Sequence, residues 1–297
     1  MTQDFNSLRK AGQIAGKALY FGSSLIKPGA KLLNVTEQIE AFIKNEGGEL
    51  AFPVNISCND TAAHYAAKKD DNFIFKDELV KLDVGVHVNG YIGDNACTID
   101  LSGKYKKLID ASREALEAAI SIVKPGVEIG AIGLAIESAI TKKGFHPIKN
   151  LSGHGLDQYI THCYPTIPNY DNGDGEELKE GTIIAIEPFA TEGVGMIKEQ
   201  GIPEIFSMTS FKAMRVGFTR DILKYIEKKF KTLPFSKRSL YEKFSEAQVN
   251  YTLKKLNETE MVHEYAPLVE RSGGMVTQAE HTLLVTKNGC EVLTKVV

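Results

Sequence analysis

Asp83 and Asp94 lie eleven residues apart, and this spacing predicts that both carboxylates lie on one face of a β-hairpin. Asn89-Gly90 between them suits the two positive-φ positions of a type I′ turn. In that register Gly85 faces Asp94, Asp83 is the diagonal neighbour of Asp94, and the glycine leaves room above the pair. The intervening strand residues are mostly apolar, which predicts a buried sheet, where unpaired carboxylates are costly. A metal ion between the two carboxylates is therefore favoured over a pair of solvated aspartates.

Three other residues could complete a metal site. His154 lies between two glycines, which leaves its imidazole sterically open and suits a ligand. Glu187 ends an apolar strand before a proline, and Glu280 lies in a predicted strand over 274–286. Each has an ordinary alternative: a hydrogen-bonded loop histidine, the end of a strand and an exposed strand residue.

Together, four carboxylates and one imidazole favour a dinuclear catalytic site. A structural zinc site would typically use cysteine and be closed by four ligands. The oxygen-rich set suits Mn, Fe, Co or catalytic Zn, and the order of affinities alone does not decide among them. Two such ions would lower the pKa of a bridging water, polarise a carbonyl and anchor a substrate.

The elements that must position these residues follow an internal repeat with an offset of 97 residues. Helical spacing of apolar residues predicts helices over about 5–26 and 35–46, the first of which ends at Lys27-Pro28-Gly29. A second pair of helices follows the same plan around Lys124-Pro125-Gly126. Apolar positions of the second helix in each pair also match: Ile39 with Ile136, Phe42 with Ala139 and Ile43 with Ile140.

The repeat extends to the polar residues. With the same offset, the counterpart of His64 is Thr161, beside His162. The strand that ends at Asp83 also resembles the strand that ends at Glu187. Two copies are too few for a solenoid. They predict two αβ halves related by a pseudo-twofold axis, with their sheets meeting in the middle. One shared site would then receive Asp83 with Glu187, and His64 with His162.

Residues 208–262 depart from this pattern and predict an inserted helical subdomain, which leaves 1–207 and 263–297 as the main domain. The segment contains twelve lysine or arginine residues and six aspartate or glutamate residues, a net charge of +6. A surface that faces nucleic acid or a ribosome is one interpretation, and a solvated amphipathic surface is the favoured one.

Composition sets wider limits on function. The chain has 297 residues, 43% of them hydrophobic and 25% charged, with a net charge of −3 that indicates no overall bias toward nucleic acid or membrane. Its four cysteines are widely scattered without a CxxC spacing, which suits free thiols in a reducing compartment. The polar start predicts no signal peptide, and no apolar run approaches a membrane span. We therefore expect a cytoplasmic protein.

The motifs around these candidates resemble methionine aminopeptidases of type 2, in their archaeal form, over essentially the whole chain. They are Ser-Gly-His-Gly around His154, Ile-Ile-Ala-Ile-Glu-Pro around Glu187, Gln-Ala-Glu-His around Glu280, and the two aspartates eleven apart. The resemblance implies the α+β fold known as pita-bread, in agreement with the repeat. It also implies that the basic insertion is a winged-helix-like helical subdomain.

The resemblance further implies the roles of individual residues. Two divalent ions (Co, Mn, Fe or Zn) would be held by Asp83, Asp94, His154, Glu187 and Glu280, with Asp94 and Glu280 bridging. His64 and His162 match the two histidines that bind substrate and take part in catalysis, and Phe52 resembles part of the methionine side-chain pocket. Glu187 would also shuttle a proton.

The implied activity is removal of the N-terminal methionine from peptides and nascent proteins by a monomeric enzyme that prefers a small second residue. In the implied mechanism, a hydroxide that bridges the two metal ions attacks the first peptide bond. The substrate is thus a peptide or nascent-chain N-terminus, and a ribosome contact would be made through the basic insertion. Membrane association is not expected.

Two alternatives stay open at this point. Prolidase and aminopeptidase P can share all five ligands, although they usually carry a long extra domain before the first of them and lack the basic insertion. A non-catalytic protein of the same fold could instead use the basic segment to bind RNA, but such proteins lose metal ligands. The complete ligand set favours the peptidase.

Overall fold

The computed structural model describes residues 4–212, 214 and 216–295, and within them the chain forms seven helices and eighteen strands. The helices are α1 (Phe5–Leu25), α2 (Leu32–Asn45), α3 (Lys106–Ile122), α4 (Ile129–Lys142), α5 (Gly217–Lys229), α6 (Lys237–Tyr241) and α7 (Glu246–Glu258). None of these helices is both long enough and apolar enough to cross a membrane.

The strands are mostly short. They are β1 (Glu49–Leu50), β2 (Asn55–Cys58), β3 (Thr61–Ala63), β4 (Leu79–Val88), β5 (Tyr91–Asp100), β6 (His146–Pro147), β7 (Ser152–Asp157), β8 (Ile160–Pro168) and β9 (Ile183–Ile186). They continue with β10 (Phe189–Thr191), β11 (Ile197–Glu199), β12 (Ile205–Met208), β13 (Phe235–Ser236), β14 (Val262–Tyr265), β15 (Leu268–Glu270), β16 (Val276–Gln278), β17 (Glu280–Thr286) and β18 (Gly289–Val292).

One antiparallel sheet forms the centre of the molecule, in the order β1-β4-β5-β17-β9-β7-β8, with β2 beside β4 and β18 beside β17. The hairpin of β4 and β5 has the predicted register, in which Gly85 is opposite Asp94 and Asp83 is opposite Ala96. Its turn residues Asn89 and Gly90 have φ values of 53° and 88°, as a type I′ turn requires. The prediction for this hairpin is confirmed.

The two helix pairs cover two parts of this sheet through separate apolar clusters. In the first cluster α1 and α2 pack on β4, and Ile39 and Ile43 are fully buried there. In the second cluster α3 and α4 pack on β9 and β17, and the equivalent Ile136 and Ile140 are fully buried. The repeated apolar positions are therefore buried in equivalent ways against the sheet, as expected for two similar αβ halves.

The first helix approaches the sheet closely enough to position the strand that carries Asp94. The helix crosses β5 where Gly12 faces Gly93, and a Cβ at Gly93 would collide with the backbone of Gly12. At the start of this helix, the Asp4 carboxylate accepts hydrogen bonds from the backbone N–H groups of Asn6 and Ser7.

The segment after β12 forms its own apolar cluster, which joins α5, α6 and α7 to a small sheet in the order β13-β12-β14. The three amphipathic helices agree with the prediction, whereas the sheet was not predicted. Because the sheet spans Ile205 to Tyr265, it extends past both ends of the segment 208–262. The division into 1–207, 263–297 and 208–262 stays a prediction.

The predicted strand over 274–286 is in fact two strands, and this difference shapes the site. β16 pairs with β10 in one sheet, and β17 pairs with β5 and β9 in the central sheet. The chain changes sheets at Ala279, just as it does at Glu187-Pro188 between β9 and β10. The two points at which the chain changes sheets lie side by side, since Phe189 pairs with Gln278 in one sheet and Ile186 pairs with His281 in the other.

Candidate active site

A cavity of about 200 Å³ lies where the two sheets meet. Its lining contains all eight predicted site residues: Phe52, His64, Asp83, Asp94, His154, His162, Glu187 and Glu280. These residues, which are far apart in the chain, thus lie close together in space.

Two threonines on neighbouring strands explain how Asp94 and Glu280 come side by side. Glu280 is paired with Ala96, so that β17 lies directly beside the strand that carries Asp94. Thr282 Oγ1 accepts a hydrogen bond from the Asp94 N–H and donates one to the Asp94 carbonyl, both at 2.7 Å. Thr98 Oγ1 makes the matching pair of 2.8 Å bonds with the backbone of Gln278. Both acidic strands are therefore locked in register at the cavity.

His154 faces these carboxylates from β7, which is paired with β9 at Ala185. Its Nε2 lies 3.5 Å from Glu187 Oε1 and 4.0 Å from Asp94 Oδ2. Burial, followed by the nearby His162, lowers the pKa of His154 well below 6.5. Since the imidazole is then neutral at pH 7, these contacts are not ion pairs, and a neutral imidazole is the form that binds a metal.

The carboxylates are in an environment that disfavours their charge. Burial raises the pKa of Asp83 to about 7. Burial, and then repulsion by neighbouring carboxylates, raises the pKa of Asp94, Glu187 and Glu280 well above the ordinary range. Like charges held this close need a proton or a cation between them.

The donor set fits a divalent metal. Ligand atoms of Asp94, His154 and Glu280 all lie within 4.8 Å of one another. Among the described residues, Oδ1 of Asp83 and Oδ1 of Asp94 are buried without a hydrogen-bond partner. Because a buried unpaired carboxylate oxygen is costly, these two atoms point to a cation as their missing partner.

The two predicted substrate histidines lie at the side of this cluster. His64 follows β3 in a left-handed conformation, with φ of 65°, and its ring meets Tyr265 edge-on at 5.4 Å between centroids. Desolvation of the ring, followed by the nearby His162, lowers the pKa of His64 to about 4. His162 also lines the cavity, and its ring lies 4.2 Å from the ring of His154.

The space above Gly85 differs from the prediction, because a side chain fills it. The ring of Phe52 lies there, and a Cβ at position 85 would collide with it. Pro234 and Ile205 line the cavity from the β13-β12-β14 sheet. No motif in the sequence marked these two residues: Pro234 belongs to the segment that departs from the repeat, and Ile205 lies just before that segment.

Gln278 is a polar residue beside the site for which the sequence predicted no role. Its side-chain N–H₂ group faces Asp83, Glu187 and Glu280. The signal available in the sequence was its place two residues before Glu280, on the same face of a predicted strand. Because its amide is neutral, Gln278 was not among the predicted metal ligands.

Comparisons with known proteins show the family and the fold of the chain. The family model of metallopeptidase family M24 matches residues 6–287. A methionine aminopeptidase of Archaeoglobus fulgidus is 46% identical over 289 residues, covering 97% of each chain. A methionine aminopeptidase of Methanocaldococcus jannaschii is 42% identical over 294 residues, covering 99% of each chain. The crystal structure of a methionine aminopeptidase from Thermotoga maritima has the same fold, with a TM-score of 0.73 at 24% identity, covering 99% of this chain and 98% of that one.

The chain therefore belongs to metallopeptidase family M24. Within that family, its archaeal relatives assign it to the methionine aminopeptidases. The resemblance found in the motifs and the pita-bread fold expected from it are confirmed. The assignment to type 2 stays a prediction.

Proposed function

We propose that this enzyme removes methionine from the free N-terminus of peptides and nascent proteins. The observation that carries the proposal is the cavity itself, in which four acidic side chains and a neutral imidazole face a space that suits a single side chain. An enzyme that releases one residue needs a site that accommodates one side chain beside the reacting groups. The names of the relatives supply the identity of that residue.

Two divalent ions would be held by the five predicted ligands, Asp83, Asp94, His154, Glu187 and Glu280, with Asp94 and Glu280 shared between the ions. Co, Mn, Fe and Zn all suit such a set of oxygen and nitrogen donors. When bound, the ions supply Lewis-acid activation of the scissile carbonyl and of the attacking water.

Glu187 would move the proton in the reaction. Its carboxylate lies in the cavity, where burial and the neighbouring carboxylates raise its pKa. A positioned carboxylate can take a proton from water and return it to a leaving group. It would take the proton from the attacking water and give it to the leaving amine.

The two histidines would act on the peptide directly. A neutral imidazole has one N–H donor and one acceptor nitrogen. His162 would donate to the carbonyl oxygen as negative charge develops there. His64, which also lines the cavity beside Tyr265, would orient the peptide and the leaving nitrogen.

The pocket would select methionine by shape. Phe52, Ile205, Pro234 and Leu268 give the cavity an apolar wall, and about 200 Å³ suits one unbranched side chain. A thioether packs well against an aromatic ring such as that of Phe52. With so little remaining space, a small second residue would be preferred.

The proposal also covers the cellular location of the enzyme and a contact with the ribosome. We place the monomeric enzyme in the cytoplasm, where the free thiols of its four cysteines would persist. The net charge of +6 over 208–262 would support contact with ribosomal RNA near an emerging chain. Some lysine side chains of this segment already form ion pairs within the protein: Lys237 Nζ lies 3.6 Å from Glu204 Oε1, and Lys229 Nζ lies 3.6 Å from Glu242 Oε2.

One competition assay by mass spectrometry tests the proposal. The purified protein, with Mn²⁺ or Co²⁺ and with a chelator control, is given Met-Ala-Ser, Met-Leu-Ser, Ala-Pro-Ser and N-acetyl-Met-Ala-Ser together. We expect metal-dependent loss of methionine from Met-Ala-Ser alone. Cleavage of Ala-Pro-Ser instead would assign the enzyme to the proline-directed members of the family. No cleavage with either metal would contradict the proposed activity.

A further inference from the structure

We propose that Gln278 is a positioning residue, which gathers three of the metal-binding carboxylates through one neutral amide. The proposal rests on the proposed function, because those carboxylates are its proposed metal ligands. Gln278 has only 1% of its surface exposed, and it ends β16 where the chain passes from one sheet to the other. Its side chain therefore starts from the junction at which the acidic strands converge.

The amide contacts three acids that come from three separate parts of the chain. Nε2 lies 3.4 Å from Asp83 Oδ2, 3.4 Å from Glu187 Oε2 and 3.3 Å from Glu280 Oε2. These distances are longer than an ordinary N–H···O bond of about 2.7–3.2 Å. The two N–H groups on Nε2 are thus shared among three carboxylate oxygens at nearly equal distances. The three carboxylates are therefore arranged around this one nitrogen atom.

The backbone of Gln278 is held firmly enough to serve as a fixed point. Its N–H donates to Thr98 Oγ1 and its carbonyl accepts from the same oxygen, both at 2.8 Å. The side-chain oxygen Oε1 is buried without a partner among the described residues. The amide orientation is therefore set by the acids that accept from Nε2, not by a donor on the other side.

The neutrality of this donor matters for a site that must bind cations. A lysine or arginine here would bring a positive charge that competes with the metal, and a glutamate would add one more repelling carboxylate. An apolar side chain would leave the acids without a donor and free to move apart. A glutamine holds the acids together and leaves their whole negative charge to the metal. Partners of this kind typically contribute about 10–100-fold to metal affinity.

The test compares Gln278→Met, which keeps the length and removes the amide, with Gln278→Asn, which keeps an amide of shorter reach. Gln38→Met is the control, because Gln38 is exposed on α2 and its amide donates only to Asn34 within the same helix. Each metal-free protein is titrated with Mn²⁺ by calorimetry, and kcat and KM for Met-Ala-Ser are measured at saturating Mn²⁺.

We expect Gln278→Met to weaken Mn²⁺ binding by about 10–100-fold, Gln278→Asn to weaken it less, and the control to leave it unchanged. At saturating metal, KM should stay within about threefold of the starting value, because Gln278 is not expected to touch the peptide. Unchanged Mn²⁺ affinity in a folded Gln278→Met protein would overturn the proposal. The calorimetric result does not depend on turnover, so failure of this proposal and failure of the methionine-releasing activity are separate outcomes.

Discussion

The ring of Phe52 lies over Gly85, so close that a Cβ at position 85 would collide with three of its carbon atoms. Gly85 is also paired with Asp94 in the hairpin that carries two of the acidic residues. The apolar wall for the substrate side chain and the proposed metal centre therefore lie on the same face of the sheet, next to one glycine. A change at this position should affect the pocket before it affects the metal ligands.

Gly85→Ala tests that relationship. The new methyl group must push the Phe52 ring into the cavity, at a cost to stability of about 1–3 kcal/mol. We expect KM for Met-Ala-Ser to rise about tenfold or more, while Mn²⁺ affinity changes little. Gly175→Ala is the control, because a Cβ there meets no atom within 4 Å. Stability should recover when Phe52→Leu is added, and a Gly85→Ala protein with normal KM would show that the ring does not border the substrate.

Glu187→Gln tests the proposed proton transfer. The amide keeps an oxygen for the metal but can no longer take a proton from water, so kcat should fall by about 10²–10⁴-fold. Metal content is measured alongside kcat, because Glu187 is also a proposed ligand. Glu180→Gln changes an exposed acid just before β9 and should retain full activity. Near-normal turnover of Glu187→Gln with a full complement of metal would remove Glu187 from the mechanism.

The lowered pKa of His64 predicts a pH dependence of stability. Below pH 6.5 the unfolded chain takes up a proton at this imidazole, whereas the folded protein does so only near the pKa of about 4. Since the unfolded state binds more protons in that window, the free energy of unfolding should fall as pH drops from 6.5 to 4. His64→Gln removes this contribution, which is on the order of 3 kcal/mol.

The measurement is urea unfolding of the metal-free proteins at several pH values, so that release of metal does not contribute. The difference in unfolding free energy between the unmodified protein and His64→Gln should shrink on acidification, since titration of the carboxylates is common to both. His146→Gln, at an exposed histidine, is the control. Two curves that stay parallel from pH 7 to pH 4 would show that His64 is not desolvated in the folded state.

Much of the site could be predicted because local rules decide it. Asn89-Gly90 sets the register of the β4–β5 hairpin, and that register alone brings Asp83 and Asp94 together. The internal repeat predicted that Glu187 shares the site, because it made the strand before Glu187 equivalent to the strand of Asp83. These two strands, β9 and β4, belong to the same sheet. These predictions needed only turn geometry and side-chain alternation.

Other features depend on packing between distant segments, which alternation does not encode. The strand over 274–286 breaks at Ala279 because its two parts pair with different partners, β10 on one side and β5 and β9 on the other. That break is what turns Gln278 toward the acids. Likewise, Phe52 fills the space over Gly85 because it lies between β1 and β2, both of which pair with β4.

The ion pair between Arg238 on α6 and Glu40 on α2 links the helical segment to the first helix pair. Both side chains are largely buried, at 15% and 12% exposure, so removal of one partner leaves an uncompensated charge. We expect Arg238→Met or Glu40→Leu alone to lower the free energy of unfolding by about 3–5 kcal/mol, and the double variant to recover most of that loss. Lys106→Met is the control, because it breaks an exposed pair with Asp110 that is worth about 1 kcal/mol or less. Urea unfolding followed by circular dichroism gives all four values, and additive losses in the double variant would mean that the two residues do not interact.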